Sequence, residues 1–132
     1  KVAGILLESL GSHLAIGIGV NLVAAPGAAE VEEGAVDPVS VLSVLGVETM
    51  PEVFLDHLAS AYAAHETQFQ TYGFAPIREA WLSRAARLGE VVTARMGRRD
   101  VQGTFETIDP EGRIVLTTAH GREAIAAADI FF

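Results

Sequence analysis

The 132-residue chain has no cysteine, which removes zinc ribbons, redox CxxC sites and thiol nucleophiles. It has one lysine, Lys1, and its other basic residues are all arginine. Against 17 acidic residues the nine basic ones leave a formal charge of −8, a sign that argues against a polyanion as partner. Long apolar runs are also missing. The cleanest one near the start, Leu14 to Val20, stops at Asn21, far short of the ~18 residues a membrane span requires, and no secretory signal pattern is present. The expectation is a soluble, cytoplasmic protein without a membrane partner. Half the residues are hydrophobic, which excludes whole-chain disorder and suffices for a core without a structural metal.

Charge is unevenly placed. Lys1 to Tyr72 hold nine acids and one base, whereas Gly73 to Phe132 hold eight arginines and eight acids, and this asymmetry suggests two units. Lys1 is also the first residue, with no methionine before it, so the sequence reads as the back part of a longer protein.

Val2 to Glu8 and His13 to Val20 read as antiparallel strands joined through Ser9-Leu10-Gly11-Ser12. In the second strand a period of two puts Leu14, Ile16, Ile18 and Val20 on one face and Ala15, Gly17, Gly19 and Asn21 on the other. A bare glycine face marks close approach of a backbone or a flat ligand. Ala24 to Gly34 reads as a mobile acidic loop. Asp37-Pro38 supplies an N-cap and a first-turn proline for a short helix to about Leu45, with Gly46 behind it. Pro51 to Tyr72 is a longer helix, with Phe54, Leu58, Tyr62, Phe69 and Tyr72 expected inward and Gly73 as its stop. Pro76 to Arg87 is expected as a third, with Ile77, Trp81 and Leu82 inward. After Leu88-Gly89 come short strands: Glu90 to Met96, Val101 to Ile108, Arg113 to Thr118, Glu123 to Ala127 and Asp129 to Phe132. Turn clusters at Gly97 to Asp100, Asp109 to Gly112 and His120 to Arg122 separate the first four, so this end resembles a five-stranded SH3-like barrel.

Gly17-Ile18-Gly19-Val20-Asn21-Leu22 begins like a dinucleotide fingerprint, but Leu22 holds the third glycine position and Pro26-Gly27 follows where a helix should start, so a Rossmann site is rejected. Two readings of the glycines stay open, a strand packed tightly on a neighbour or contact with a ligand. Asn21 either closes a turn or offers a carboxamide that donates and accepts together, as the edge of adenine requires. Lys1 is either a solvated end charge or a cation placed to offset charge on a phosphate. Strict alternation puts Lys1 and Gly4 on opposite faces, so the second role needs a bend before the strand. His13, His57, His65 and His120 lack metal-ligand spacing and are assigned to structure or surface. Glu30, Glu32 and Glu33 keep their loop solvated more readily than they form an ion site. Tyr62, Phe69, Tyr72, Phe74 and Trp81 are assigned to the core. Arg95, Arg98 and Arg99 make a basic patch that Asp100, Glu106 and Asp109 nearly cancel, so no nucleic acid is expected through this segment.

Lys1-Val-Ala-Gly4-Ile5-Leu6-Leu7-Glu8, Gly17-Ile-Gly19-Val20-Asn21, Gly73-Phe74-Ala75-Pro76-Ile77 with Trp81, and the terminal Ala128-Asp129-Ile130-Phe131-Phe132 together resemble the carboxyl half of bacterial biotin protein ligases. The resemblance covers the whole chain. It implies an α+β fold, the C-terminal part of a ligase catalytic domain over residues 1–87 (antiparallel strands plus helices) followed by an SH3-like barrel over 88–132. It implies joining of biotin to ATP with Mg²⁺ on the phosphates, then transfer of biotin to a lysine of a biotin carboxyl carrier protein. By resemblance Lys1 is the catalytic lysine, Gly4, Ile5, Leu6, Gly17 and Gly19 line the biotin pocket, and Asn21 binds adenine. The family's Gly-Arg-Gly-Arg-type loop and the strands that complete its central sheet lie upstream of the lysine block, so an N-terminal half is an implied partner, alongside a homodimer. A DNA-binding winged helix, found in some members, would lie outside this sequence too. The alternative is a non-catalytic assembly module contacting the carrier protein or another subunit.

Overall fold

In the computed structural model, which describes every residue except 32–35, 98, 127 and 132 and the backbone alone at 28 and 131, the chain divides into two units, Lys1–Ala61 and Tyr62–Phe132. The first contains two strands, β1 (Ala3–Leu10) and β2 (His13–Val20), paired antiparallel from Ala3↔Val20 to Leu10↔His13. Their turn is tighter than expected, only Gly11 and Ser12. Gly11 takes φ +63° and Ser12 does not share the positive sign, the pattern of a type II′ turn, whose twist matches the strands it joins. A single 3₁₀ turn, Ala28–Glu30, occupies the acidic loop; Glu32, Glu33 and Gly34 lie outside the described residues.

The short helix α1 is Val41–Leu45, and its cap differs from the expected Asp37. Ser40 is the N-cap: its Oγ accepts from the Ser43 N–H at 3.0 Å while Ser43 Oγ accepts from the Ser40 N–H at 2.9 Å, a reciprocal pair that satisfies two helix-end donors. Gly46 closes α1 at φ +67°, and Asp37-Pro38 instead lies in the approach to it.

Helix α2 (Pro51–Tyr72) starts and stops where proline and glycine place it, and the boundary between the two units falls within it. The expected inward aromatic stripe is not found. Tyr62, Phe69 and Tyr72 expose 48%, 52% and 73% of their surface and Trp81 of the next helix 52%, while Phe54, Leu58 and Phe74 are half-buried. Helical spacing aligns side chains on a face, but burial requires a surface opposite that face, and the described residues provide little. Helix α3 (Ala75–Leu82) is shorter than expected. The Ser83 N–H still closes on the Glu79 carbonyl at 3.0 Å, but Arg87 at φ +63° and Gly89 at φ +84° follow in the left-handed region, so the chain cannot continue as a helix to Arg87.

The remaining strands are β3 (Val91–Met96), β4 (Arg99–Ile108), β5 (Ile114–Thr118), β6 (Gly121–Ile125) and β7 (Asp129–Phe131), ordered β6-β5-β4-β3-β7 and antiparallel throughout. All five strands expected from the sequence exist, with β4 and β6 starting two residues early. The closed barrel is not found: among the described residues β6 and β7 stand at opposite ends of the sheet and do not pair. A bulge between Phe105 and Thr107 breaks the β4–β5 register.

Val92, Ala94, Val101, Phe105, Leu116 and Ile125 form the buried core, all within this sheet. Ala85 and Met96 pack on it, and Trp81 leans on Phe105 with ring centroids 6.2 Å apart. Arg78 ties α3 to β4, donating to the Ile108 carbonyl and, at 3.2 Å, to Thr107 Oγ1. The Asp109 turn is closed by its own carboxylate, which accepts from the main-chain N–H of Arg113 at 2.8 Å and of Glu111 at 3.1 Å and from Arg113 Nε at 2.7 Å. Of the acids expected to cancel the basic patch, Asp100 pairs with Arg95, whereas Glu106 pairs with Arg122 and Asp109 with Arg113. Arg99 pairs with Glu123, and Arg98 lies outside the described residues.

Two stability predictions follow from this sheet. A Cβ on Gly103 would lie 2.8 Å from the Thr117 carbonyl oxygen and 3.1 Å from Leu116 Cβ, so Gly103→Ala should lower the urea midpoint at unchanged slope by about 1–3 kcal/mol of stability, the usual cost of overpacking. Partial burial pushes the Asp109 carboxyl up, but the Arg113 N–H, the Arg113 guanidinium and the Glu111 N–H together hold it below its usual value. The hydrogen bonds from Thr117 and Arg122 hold Glu106 low as well. A carboxyl whose folded-state pKa is depressed stabilises fully above its unfolded pKa, about 4, and loses that contribution as pH falls through the folded value. Asp109→Asn should therefore flatten the acid limb of the urea midpoint against pH, and an unaltered limb would show that this carboxyl contributes nothing.

Candidate functional site

Register decides which side chains meet on the β1–β2 hairpin. Gly4 faces Gly19 and Leu6 faces Gly17, while Ile5 faces Ile18 and Leu7 faces Ile16. Cross-strand partners share a face and successive residues alternate, so Gly4, Leu6, Gly17 and Gly19 lie together and Ile5 lies on the reverse with the apolar residues. That apolar face is open, with Ile5 and Leu7 more than half exposed.

The bare face is not explained by packing among the described residues. A Cβ on Gly4 or Gly19 would meet nothing within 4 Å, and one on Gly17 would make only ordinary contact with Leu6 at 3.8 Å. Of the two readings of these glycines, tight packing on a neighbouring strand is therefore not found among the described residues.

At the open end of the hairpin the chain meets the segment that leads into α1. Lys1 and Val2 precede β1, and Lys1 is bonded to that segment: its carbonyl accepts from the Val39 N–H at 3.1 Å, and its main-chain nitrogen donates to the Asp37 carbonyl. Lys1 and Gly4 both line a concavity of 810 Å³, together with Ala3, Gly19, Val20 and Asn21 from the hairpin and Pro26, Glu30, Val31, Val36 and Pro38 from the segment after it. The expected bend before the strand is not needed to bring Lys1 and Gly4 together, because the concavity takes residues from both faces of the hairpin's end, Ala3 and Val20 as well as Gly4 and Gly19. Ile5, Leu6 and Gly17 are not in that lining.

Asn21 joins three stretches of chain. Its N–H donates to the Val2 carbonyl and its carbonyl accepts from the Val41 N–H, both at 2.9 Å. Its half-buried carboxamide donates from Nδ2 to the Val39 carbonyl at 3.0 Å and to the Lys1 carbonyl at 3.5 Å. Neither the clasp nor the segment around Val36 to Pro38 was expected from the sequence. The available signal was Asp37-Pro38, read there as a helix start, which is where the chain returns to Lys1.

Glu30 lines the concavity and accepts from the Gly27 N–H at 2.7 Å; Glu32 and Glu33 lie outside the described residues. Among the described residues no group of three or more His, Asp or Glu could hold a metal ion, and no helix is long and apolar enough to cross a membrane. His13, His57, His65 and His120 are all exposed. Among the described residues the concavity is thus lined by one lysine, one glutamate, one asparagine and the glycine pair Gly4 and Gly19. Such a surface admits a flat body over the glycines with an anionic group toward Lys1.

Comparison with known proteins supplies a context for this geometry. Residues 88–132 match the family model described as the biotin protein ligase C terminal domain. The whole chain is 55% identical to a biotin–[acetyl-CoA-carboxylase] ligase of Paracoccus denitrificans and covers 57% of it. It is 29% identical, over 98% of its length, to the bifunctional ligase/repressor BirA of Bacillus subtilis, covering 41% of that protein. The biotin protein ligase of Aquifex aeolicus superposes on 98% of the chain with a TM-score of 0.86 at 20% identity, 58% of that structure being covered. The same ligase in complex with biotin and ATP gives 0.79 at 21% identity, with 98% and 54% covered. At these identities the superpositions establish a common fold. The chain spans about half the length of the relatives it matches.

Because nothing among the described residues fills the space above Gly4 and Gly19, Gly19→Ala should change unfolding free energy by no more than about 0.5 kcal/mol, as at an unconstrained surface position. A loss of several times that amount in a urea titration would show that the bare face is structural after all.

Proposed function

We propose that this chain, similar over its whole length to a biotin–[acetyl-CoA-carboxylase] ligase and over residues 88–132 to the biotin protein ligase C terminal domain, is the C-terminal part of a biotin protein ligase and supplies one wall of the site where biotin is joined to ATP. The observation that carries the reading is the convergence of Lys1, Gly4, Gly19 and Asn21 on one concavity. Biotin would lie over Gly4, Gly17 and Gly19 with Leu6 beside it, and Ile5, on the reverse face, would contribute its backbone alone. The biotin carboxylate attacks the α-phosphorus of ATP, pyrophosphate leaves, and negative charge gathers on the oxygens between them. Lys1 is the catalytic cation for that charge, at the floor's open end. With Nδ2 directed to Val39 and Lys1, Asn21 retains Oδ1 to accept from the adenine amino group. Mg²⁺ would be held by the nucleotide's phosphates rather than by a protein cage. In the second step the amine of a carrier-protein lysine attacks the acyl carbon and AMP departs.

The division into a catalytic part, 1–87, and a C-terminal part, 88–132, follows the family-model match for the latter, and its sheet would be the element the family closes as an SH3-like barrel. The activity as proposed needs residues beyond these 132, since the Paracoccus relative is longer; the same residues are candidates to cover the apolar face of Ile5, Leu7 and Ile16. That open face also favours the second reading, an assembly module contacting the carrier protein or another subunit, including a second copy. Action in the cytoplasm is part of the proposal.

The two readings separate on Lys1. In the protein at its full natural length, Lys1→Ala should slow biotin-dependent pyrophosphate release at saturating substrates by about 10²–10³, the scale of one lost transition-state donor, while biotin affinity by calorimetry changes by less than about threefold. Equal losses in both would remove the catalytic role. Failure of the unaltered protein to bind biotin at all would favour the assembly module.

A further inference from the structure

Lys1 is the cation of the proposed site, yet it lies outside β1 and has no ladder partner to hold it. A lysine side chain has four rotatable bonds, so the volume its ammonium explores depends first on how firmly its root is held. Three contacts hold that root, and two of them meet at a single atom: the Lys1 carbonyl oxygen accepts from Val39 N–H at 3.1 Å and from Asn21 Nδ2 at 3.5 Å. The same Nδ2 donates to the Val39 carbonyl at 3.0 Å. Asn21 is itself fixed through its main chain to Val2 and Val41. The carboxamide thus bridges Lys1, two residues before the strand, and the segment before α1, and both contacts bear on the peptide that carries Lys1.

We infer that Asn21 is a positioning residue for Lys1, acting through the Lys1 and Val39 carbonyls, in addition to any contact with adenine. The inference rests on the proposed role of Lys1 and deepens it: the donor half of the carboxamide sets the position of the cation, and the acceptor half remains for the nucleotide. Loss of the clasp frees the Lys1 root and lowers the rate of the step that Lys1 serves. Loss of an adenine contact alone raises the Michaelis constant for ATP and leaves the rate at saturation unchanged.

The test uses the protein at its full natural length, in the unaltered form and as Asn21→Ala, Lys1→Ala and the double variant. Asn21→Asp, equal in size but lacking the Nδ2 donors, serves as a second clasp variant should Asn21→Ala fold poorly. Amide exchange reads the clasp without reference to activity: the Val39 N–H should exchange about tenfold faster in either Asn21 variant while the β1–β2 ladder keeps its rates. At saturating biotin and ATP, kcat for pyrophosphate release should fall about tenfold in Asn21→Ala and by less than about twofold when Lys1 is already alanine, because groups acting as one unit are not additive. An unchanged Val39 rate overturns the inference whatever the activity. Faster Val39 exchange with unchanged kcat, or with losses that multiply in the double variant, also overturns it and leaves Asn21 to the nucleotide or the fold. If Lys1→Ala is itself harmless, the catalytic reading of Lys1 fails and the positioning role falls with it, with the exchange rates then recording a structural clasp only.

Discussion

Hydrogen-bond register between β1 and β2 is the constraint from which the candidate site follows. It is set at one end by the Gly11-Ser12 turn and at the other by the Asn21 N–H on the Val2 carbonyl. Between these limits every side chain's face is decided by a period of two, so a slip of one residue would carry the isoleucines to the glycine side and the glycines to the reverse. In the observed register the small residues pair with one another, Gly4 with Gly19, and Leu6 overhangs Gly17. An 810 Å³ concavity with an uninterrupted glycine edge depends on that pairing.

The two units are held by different forces. In Tyr62–Phe132 the stabilisation is hydrophobic: Leu116 and Val92 are shut away from water and the ion pairs lie at the sheet's exposed margins. In Lys1–Ala61 the one buried residue among those described is Ser40, a polar group occupied in capping α1. The first unit is therefore ordered by main-chain and carboxamide hydrogen bonds, each worth about 0.5–1.5 kcal/mol net, while its apolar strand face remains open. Such a unit belongs at the low-stability end of a protein.

Much of this organisation was legible in the sequence where local chemistry suffices. Pro51 and Gly73 bracket α2, Gly46 ends α1, and turn clusters separate the strands of the sheet, since these signals act within a few residues. Burial was not legible on the same terms. The aromatic residues of α2 have helical spacing, but spacing cannot reveal whether a partner surface exists, and Tyr72 lies almost free in solvent. Closure of the barrel failed for a related reason, because pairing of the end strands depends on curvature that no turn motif encodes. In the site, alternation alone already separated Ile5 from Gly4, whereas the family block groups them by proximity in sequence. The Asn21 clasp joins residues 18 and 20 positions apart, and nothing local announces it.

Lys1 shows how local and long-range constraints are reconciled. Had β1 begun one or two residues earlier, alternation would have put Lys1 on the face opposite Gly4. The last bond of the β1–β2 register is the Asn21 N–H on the Val2 carbonyl, and the main-chain groups of Lys1 beyond it still require partners. The returning segment supplies them: Val39 donates to the Lys1 carbonyl, Asp37 accepts from the Lys1 nitrogen, and Asn21 spans the gap between. The same bonds bring Pro38 and Lys1 to the rim of one concavity.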